Sequence, residues 1–214
     1  MKHRLISRLL DPGIIAIIRT DSPEGLVEAA DALYAGGVTA MEITLTTPGA
    51  LDVIREVTTR HRESGLLMGV GSVLDPESGR AALLAGAEFV VTPVFNEGVI
   101  RMANRYGKPV IVGACSPTEI LHAIEMGADF AKVFPSEQLG PQYLKNILAP
   151  MPHLPLIPTG GITVENLHEW MAAGSVAVGI GTALVSRDIL QTKDWPRLTE
   201  RAAAMVRAMK QARG

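Results

Sequence analysis

The stretch PVIVGACSPTEILHAIEMGADFAKVFP, residues 109–135, holds one complete strand–helix–strand unit. Residues 109–113 form a short β-branched run with the near-continuous apolar character of a parallel strand buried on both faces. Ser116-Pro117-Thr118-Glu119 then reads as a helix start, with proline at the first helical position and Glu119 three residues after Ser116, as in a capping box. Gly127 stops that helix. A second apolar run follows at 130–134, interrupted only by Lys132.

The same alternation extends in both directions. Further strand-like runs lie at 14–19, 40–45, 67–73, 89–94, 156–159 and 177–181. Helix starts stand between them at Ser22-Pro23-Glu24, Asp75-Pro76-Glu77 and Thr163-Val164-Glu165-Asn166, with stops at Gly36-Gly37, Gly86 and Gly174. Eight strands alternating with helices predict an α/β chain folded as a (β/α)8 TIM barrel. One domain over 1–214 is expected, with a short N-terminal helix over 2–10 crossing the barrel bottom. An open doubly wound sheet would ask for a Gly-x-Gly-x-x-Gly turn after a first strand, and there is none.

The bulk properties narrow the function. The 214 residues are 47% hydrophobic, and a formal charge of −2 offers no field for nucleic acid or an anionic membrane. At 4% aromatic, the chain is also poor in base-stacking groups. One cysteine, Cys115, excludes an intrachain disulfide framework and suits a reducing compartment. The N-terminal apolar segment is too short and too charged for a signal peptide, and no run approaches a membrane span. A cytoplasmic enzyme is the expectation.

A barrel of this kind carries its active site at the C-terminal strand ends. Lys132 is the most unusual residue there, because an ammonium is costly to desolvate. Burial favours the neutral amine of a lysine and makes it a nucleophile for a carbonyl. The alternative is a lysine that snorkels to solvent from an edge strand. Alternation along 40–45 puts Ala40, Glu42 and Thr44 on one face and Met41, Ile43 and Leu45 on the other. The bulky face suits the helices, so Glu42 points inward, across the barrel from Lys132. A structural buried ion pair is the competing reading. As chemistry, Lys132 would attack a ketone and Glu42 would shuttle protons.

Thr159-Gly160-Gly161 and Gly181-Thr182 end adjacent strands, where barrel enzymes frequently bind phosphate through backbone N–H groups. The glycines could instead serve tight turns alone. Arg19 ends the first strand, placed for a carboxylate or for a surface salt bridge. Cys115 has no histidine beside it, and the five histidines lack metal-ligand spacing. Asp129 falls on the face opposite Lys132, which speaks against a Glu42–Asp129 magnesium site. Met171, Val206 and Met209 suit either a core or an interface.

Glu42-Ile43-Thr44, Gly69-Val70-Gly71-Ser72-Val73-Leu74, Val91-Thr92-Pro93, Lys132-Val133-Phe134-Pro135 and Pro158-Thr159-Gly160-Gly161 together resemble the 2-keto-3-deoxy-6-phosphogluconate (KDPG) and 4-hydroxy-2-oxoglutarate (KHG) aldolases. The wider group includes 2-keto-3-deoxy-6-phosphogalactonate aldolases, and the resemblance runs over about 10–208. It implies a class I, metal-free, cofactor-free, trimeric lyase that cleaves a phosphorylated 2-keto-3-deoxy acid to pyruvate and glyceraldehyde 3-phosphate. It maps the Schiff-base lysine onto Lys132 and the general acid/base onto Glu42. Arg19, Ser72 and Thr159 match positions around pyruvate; Gly160, Gly161, Gly181 and Thr182 match the phosphate end. Two positions depart from the family pattern: Thr46 stands where some members carry arginine, and Ser72 where threonine is more familiar. Other readings are a phosphosugar isomerase or epimerase, and a non-catalytic binding protein on the same barrel.

Overall fold

The computed structural model describes residues 2–214; Met1, the first residue of the expected domain, lies outside them. Eight parallel strands form one sheet: β1 (Ile14–Ile18), β2 (Ala40–Thr44), β3 (Leu67–Gly71), β4 (Phe89–Val91), β5 (Val110–Ala114), β6 (Phe130–Val133), β7 (Leu156–Pro158) and β8 (Val178–Ile180). Consecutive strands are neighbours from β1 to β7, and β8 returns to pair with β1. The last seam, β7 to β8, is closed by an isolated bridge between Thr159 and Gly179 and by the Val176 N–H donating to the Leu156 carbonyl at 3.0 Å. The result is the expected (β/α)8 barrel. Several strands stop short of the expected bounds, since Arg19, Ser72, Val73 and residues 92–94 already turn into the loops above the barrel.

Two cores follow from the alternation of side chains. Outward-facing residues such as Met41, Ile43, Val70 and Ala131 pack under the helices. Inward-facing Ile15, Ala40, Leu67, Phe89, Ile111, Phe130, Ile157 and Ala177 fill the lower lumen. Helix α1 (Lys2–Leu10) plugs that end with Leu5 and Leu9, as the sequence predicts. Glycine makes the inner packing possible: a Cβ on Gly69 would lie 2.3 Å from the Phe89 ring. Met209 is buried, and Met171 and Val206 pack against the outer core, so all three serve the fold.

The capping box is present at helix α6 (Pro117–Glu125), where the Glu119 N–H donates to Ser116 Oγ and the Glu119 carboxylate accepts from the Ser116 N–H at 2.7 Å. Asp75 likewise caps α4 (Pro76–Ala85), and Gly86 ends it in the left-handed conformation. Two expected starts fall elsewhere. Helix α2 (Leu26–Ala35) begins after Gly25 at φ 75°, so Ser22-Pro23-Glu24 forms a turn in which Ser22 Oγ accepts from the Glu24 N–H. Helix α8 (Leu167–Ala172) begins after Asn166, whose side chain accepts from the Thr163 N–H and donates to the Gly161 carbonyl. In both places side-chain–backbone bonds satisfy a non-helical turn before the helix starts.

Candidate active site

Glu42 and Lys132 meet inside the barrel above the apolar plug. In register, Glu42 lies between Ile17 of β1 and Gly69 of β3, and Lys132 between Gly113 of β5 and Ile157 of β7. Glycines on the neighbouring strands permit close approaches here, one of them to Glu42 itself. A Cβ on Gly71 would lie 2.6 Å from Glu42 Oε1, and one on Gly113 would strike the Pro93 carbonyl oxygen at 2.1 Å. Both charged residues are buried, Glu42 at 1% and Lys132 at 7% exposure. Lys132 Nζ stands 3.8 Å from Glu42 Oε1 and 5.2 Å from the Phe134 ring centre.

Among the described residues, Glu42 Oε1 has no hydrogen-bond partner. Burial raises the carboxyl pKa above its ordinary 4.5, while the charges of Lys132 and Arg19 pull the other way. The result is a carboxyl that keeps its proton more readily than an exposed one. Such a group can both give and take a proton beside an amine.

Above the pair opens a cleft of about 430 Å³, lined by Arg19, Lys132, Thr159, Gly160, Gly161, Gly181 and Thr182 among others. Seven of the nine predicted site residues therefore border one space, with Glu42 beneath it. Thr159 is buried at 5%, and Gly179 faces it: a Cβ there would lie 2.3 Å from Thr159 Oγ1. Gly160 and Gly161 adopt φ 104° and 72°, which only glycine takes without strain. Gly181 accepts from the Leu184 and Val185 N–H groups, folding the turn after β8 toward the cleft. Ser72 lies apart, at φ 56° in an adjoining recess with Thr46, Leu74 and Pro93. Arg19 borders both spaces and joins them.

The remaining candidates separate cleanly. Asp129 sits at the lower end of the barrel, 2.8 Å from Lys2 and accepting from the Val110 N–H. Cys115 is exposed beyond β5. Sequence reasoning missed Ile17, Thr163 and Glu137 on the cleft wall. Glu137 was within reach of the strand-end rule, since it follows β6 on the loop at the active face.

A parallel barrel with a lysine and a carboxylate converging at its C-terminal mouth has the layout of a Schiff-base lyase. Comparison with known proteins gives the family. The family model for KDPG and KHG aldolase matches residues 5–201. The chain belongs to that family of aldolases, which are carbon–carbon lyases. It is 37% identical over 186 residues to a 2-dehydro-3-deoxy-phosphogluconate aldolase of Pseudomonas aeruginosa, covering 86% of this chain and 84% of the relative. It is 34% identical over 200 residues to the 2-dehydro-3-deoxy-6-phosphogalactonate aldolase of Escherichia coli, covering 93% and 95%. Among solved structures, KDPG aldolase from Legionella pneumophila, with pyruvate captured as a covalent carbinolamine, superposes with a TM-score of 0.83 at 28% identity over 91% of this chain and 97% of that one.

Proposed function

We propose that this chain cleaves 2-keto-3-deoxy-6-phosphogluconate to pyruvate and D-glyceraldehyde 3-phosphate through a Schiff base on Lys132. The observation that carries the reading is the buried Lys132 amine 3.8 Å from an acceptor oxygen of Glu42 that nothing else engages. The amine attacks the C2 ketone, and the carbinolamine loses water with a proton from Glu42. Glu42 then takes the C4 hydroxyl proton as the C3–C4 bond breaks, and the iminium accepts the electron pair as an enamine. Protonation at C3 and hydrolysis release pyruvate and restore the amine.

Arg19, Ser72 and Thr159 hold the keto-acid end in this reading. The backbone of Gly160, Gly161, Gly181 and Thr182 holds the phosphate. The chain acts as one domain and assembles as a homotrimer in the cytoplasm; exposed Leu74 (60%) and Val94 (54%) support an apolar contact surface. No helix among the described residues is long and apolar enough to cross a membrane.

Borohydride reduction in the presence of pyruvate tests the chemistry. A pyruvate-sized adduct on Lys132 with loss of activity supports it, whereas neither adduct nor pyruvate release leaves an isomerase or epimerase. The 2-keto-3-deoxy-6-phosphogalactonate epimer is the second reading, favoured by the fuller coverage of the E. coli relative. A panel of 2-keto-4-hydroxy acids, phosphorylated and free, separates these two and 4-hydroxy-2-oxoglutarate by their rates of pyruvate release.

A further inference from the structure

The ladder between β1 and β2 ends at Ile18, and the next two residues, Arg19 and Thr20, run on to the mouth of the barrel. Among the described residues, Arg19 is the only cation lining the recess beside Ser72, and it borders the main cleft as well. Its charge is also one of the two that oppose the effect of burial on the Glu42 carboxyl. Yet Arg19 is exposed and joins no ion pair among the described residues, so no charged partner fixes its aim.

The backbone beside it is anchored instead. The Thr20 N–H, past the end of the ladder, donates to Thr47 Oγ1 at 3.3 Å. Thr47 is 2% exposed in the turn after β2, where its N–H donates to the Thr44 carbonyl and its carbonyl accepts from Ala50, the first residue of α3 (Ala50–Arg60). Its hydroxyl lies 3.4 Å from that of Thr44, which is buried as well and stands 2.9 Å from Thr46 Oγ1. Buried hydroxyls need partners. Here three threonines partner one another, and the cluster's one bond outside itself goes to the backbone next to Arg19.

A guanidinium holds a carboxylate best through two parallel N–H bonds, a geometry that small displacements spoil. We propose that Thr47 is a positioning residue for the keto-acid end: its hydroxyl anchors the Thr20 N–H and so holds Arg19 where the substrate carboxylate is received. The choice of a keto acid over a neutral ketone then depends on a side chain that touches neither. The inference rests on the Schiff-base reading above.

The experiment compares wild type with Thr47→Val and Thr47→Ser, with circular dichroism as the check on folding. Each receives pyruvate or hydroxyacetone, which keeps the ketone and replaces the carboxylate by a neutral hydroxymethyl group. Borohydride traps the adduct on Lys132 across a range of concentrations. Thr47→Val should raise the half-saturating pyruvate concentration about fivefold, the scale of one lost hydrogen bond, and leave trapping of hydroxyacetone unmoved. Thr47→Ser should restore the wild-type response. Arg19→Gln should abolish the preference for pyruvate, leaving nothing further for Thr47→Val to remove in the double variant. Equal losses toward both ketones overturn the proposal, as does a full effect of Thr47→Val in the Arg19→Gln background. An unchanged preference in Arg19→Gln overturns it even where Thr47→Val does not fold. A wild type that yields no pyruvate adduct removes the Schiff-base reading and the inference with it, whereas a wild-type adduct with equal losses in Thr47→Val removes the inference alone.

Discussion

Gly71 of β3 and Glu42 of β2 are packed so closely that a single methyl on Gly71 would lie 2.6 Å from Glu42 Oε1 and 2.9 Å from its carboxyl carbon. The carboxylate occupies space that any other residue at 71 would claim. Its position toward Lys132 is therefore set from behind, by the absence of a side chain on the neighbouring strand.

Gly71→Ala is expected to push the carboxylate off its line to Lys132 and lower kcat by at least about tenfold, since small misplacements of a catalytic group are costly. Residue 71 is not in the left-handed region, so the backbone accepts alanine. Steady-state kinetics with a circular-dichroism check would show it, and an unchanged kcat would remove Gly71 from the positioning role.

Lys132→Ala should abolish aldol cleavage and eliminate borohydride-trapped pyruvate while the barrel still folds. Intact-mass spectrometry of the reduced protein reads this directly, and a trapped adduct in the variant would place the iminium on another amine.

Glu42→Gln should cost at least about 10²-fold in kcat, the usual contribution of a positioned proton donor and acceptor. Pre-steady-state measurement of adduct formation is the more telling assay, because slow dehydration of the carbinolamine is what a missing proton donor produces.

The same substitution has a pH signature in stability. Burial raises the Glu42 pKa in the folded chain, so the folded state binds its proton more tightly than the unfolded one. That stabilisation is fully present below the unfolded value near 4.5 and is lost as pH rises through the raised folded value. Melting temperatures from pH 4 upward should therefore shift in favour of Glu42→Gln relative to wild type as pH increases. A constant difference across the range would contradict the raised pKa.

Ser116→Ala removes the hydroxyl that caps α6 and should cost about 1 kcal/mol. For a chain of this length that is a drop of about 2–4 °C in Tm. Turnover should hold, since the capping box lies outside the cleft lining.

Much of this architecture is legible in the sequence alone. Proline and glycine punctuation marked the helices around 76–85 and 117–125, and period-two alternation was enough to send Glu42 and Lys132 into the lumen. The helix starts expected at Ser22 and Thr163 fall later in the chain, because a serine or threonine before a glutamate serves a turn as well as a helix. Gly25 and the Asn166 side chain decide between them through contacts that the local pattern does not contain. What the inward glycines make room for is not legible locally: for Gly71 it is the Glu42 carboxylate on the neighbouring strand, and for Gly113 the Pro93 carbonyl beyond β4. Glu137 lies where the strand-end rule points, but its packing against Gly161, twenty-four positions along the chain in a different loop, is not legible locally.

The thin seam between β7 and β8 has one more consequence. Nearly everywhere else the ring is sewn by regular ladders, but here a Thr159–Gly179 bridge and the bond from Val176 to Leu156 carry the join. The turns after these same two strands wall the cleft. A ligand held by both turns would span the gap between them and act as a clasp on the barrel. Occupancy would then be felt as stiffness: amides around 156–160 and 178–182 should exchange with solvent more slowly when the cleft is filled.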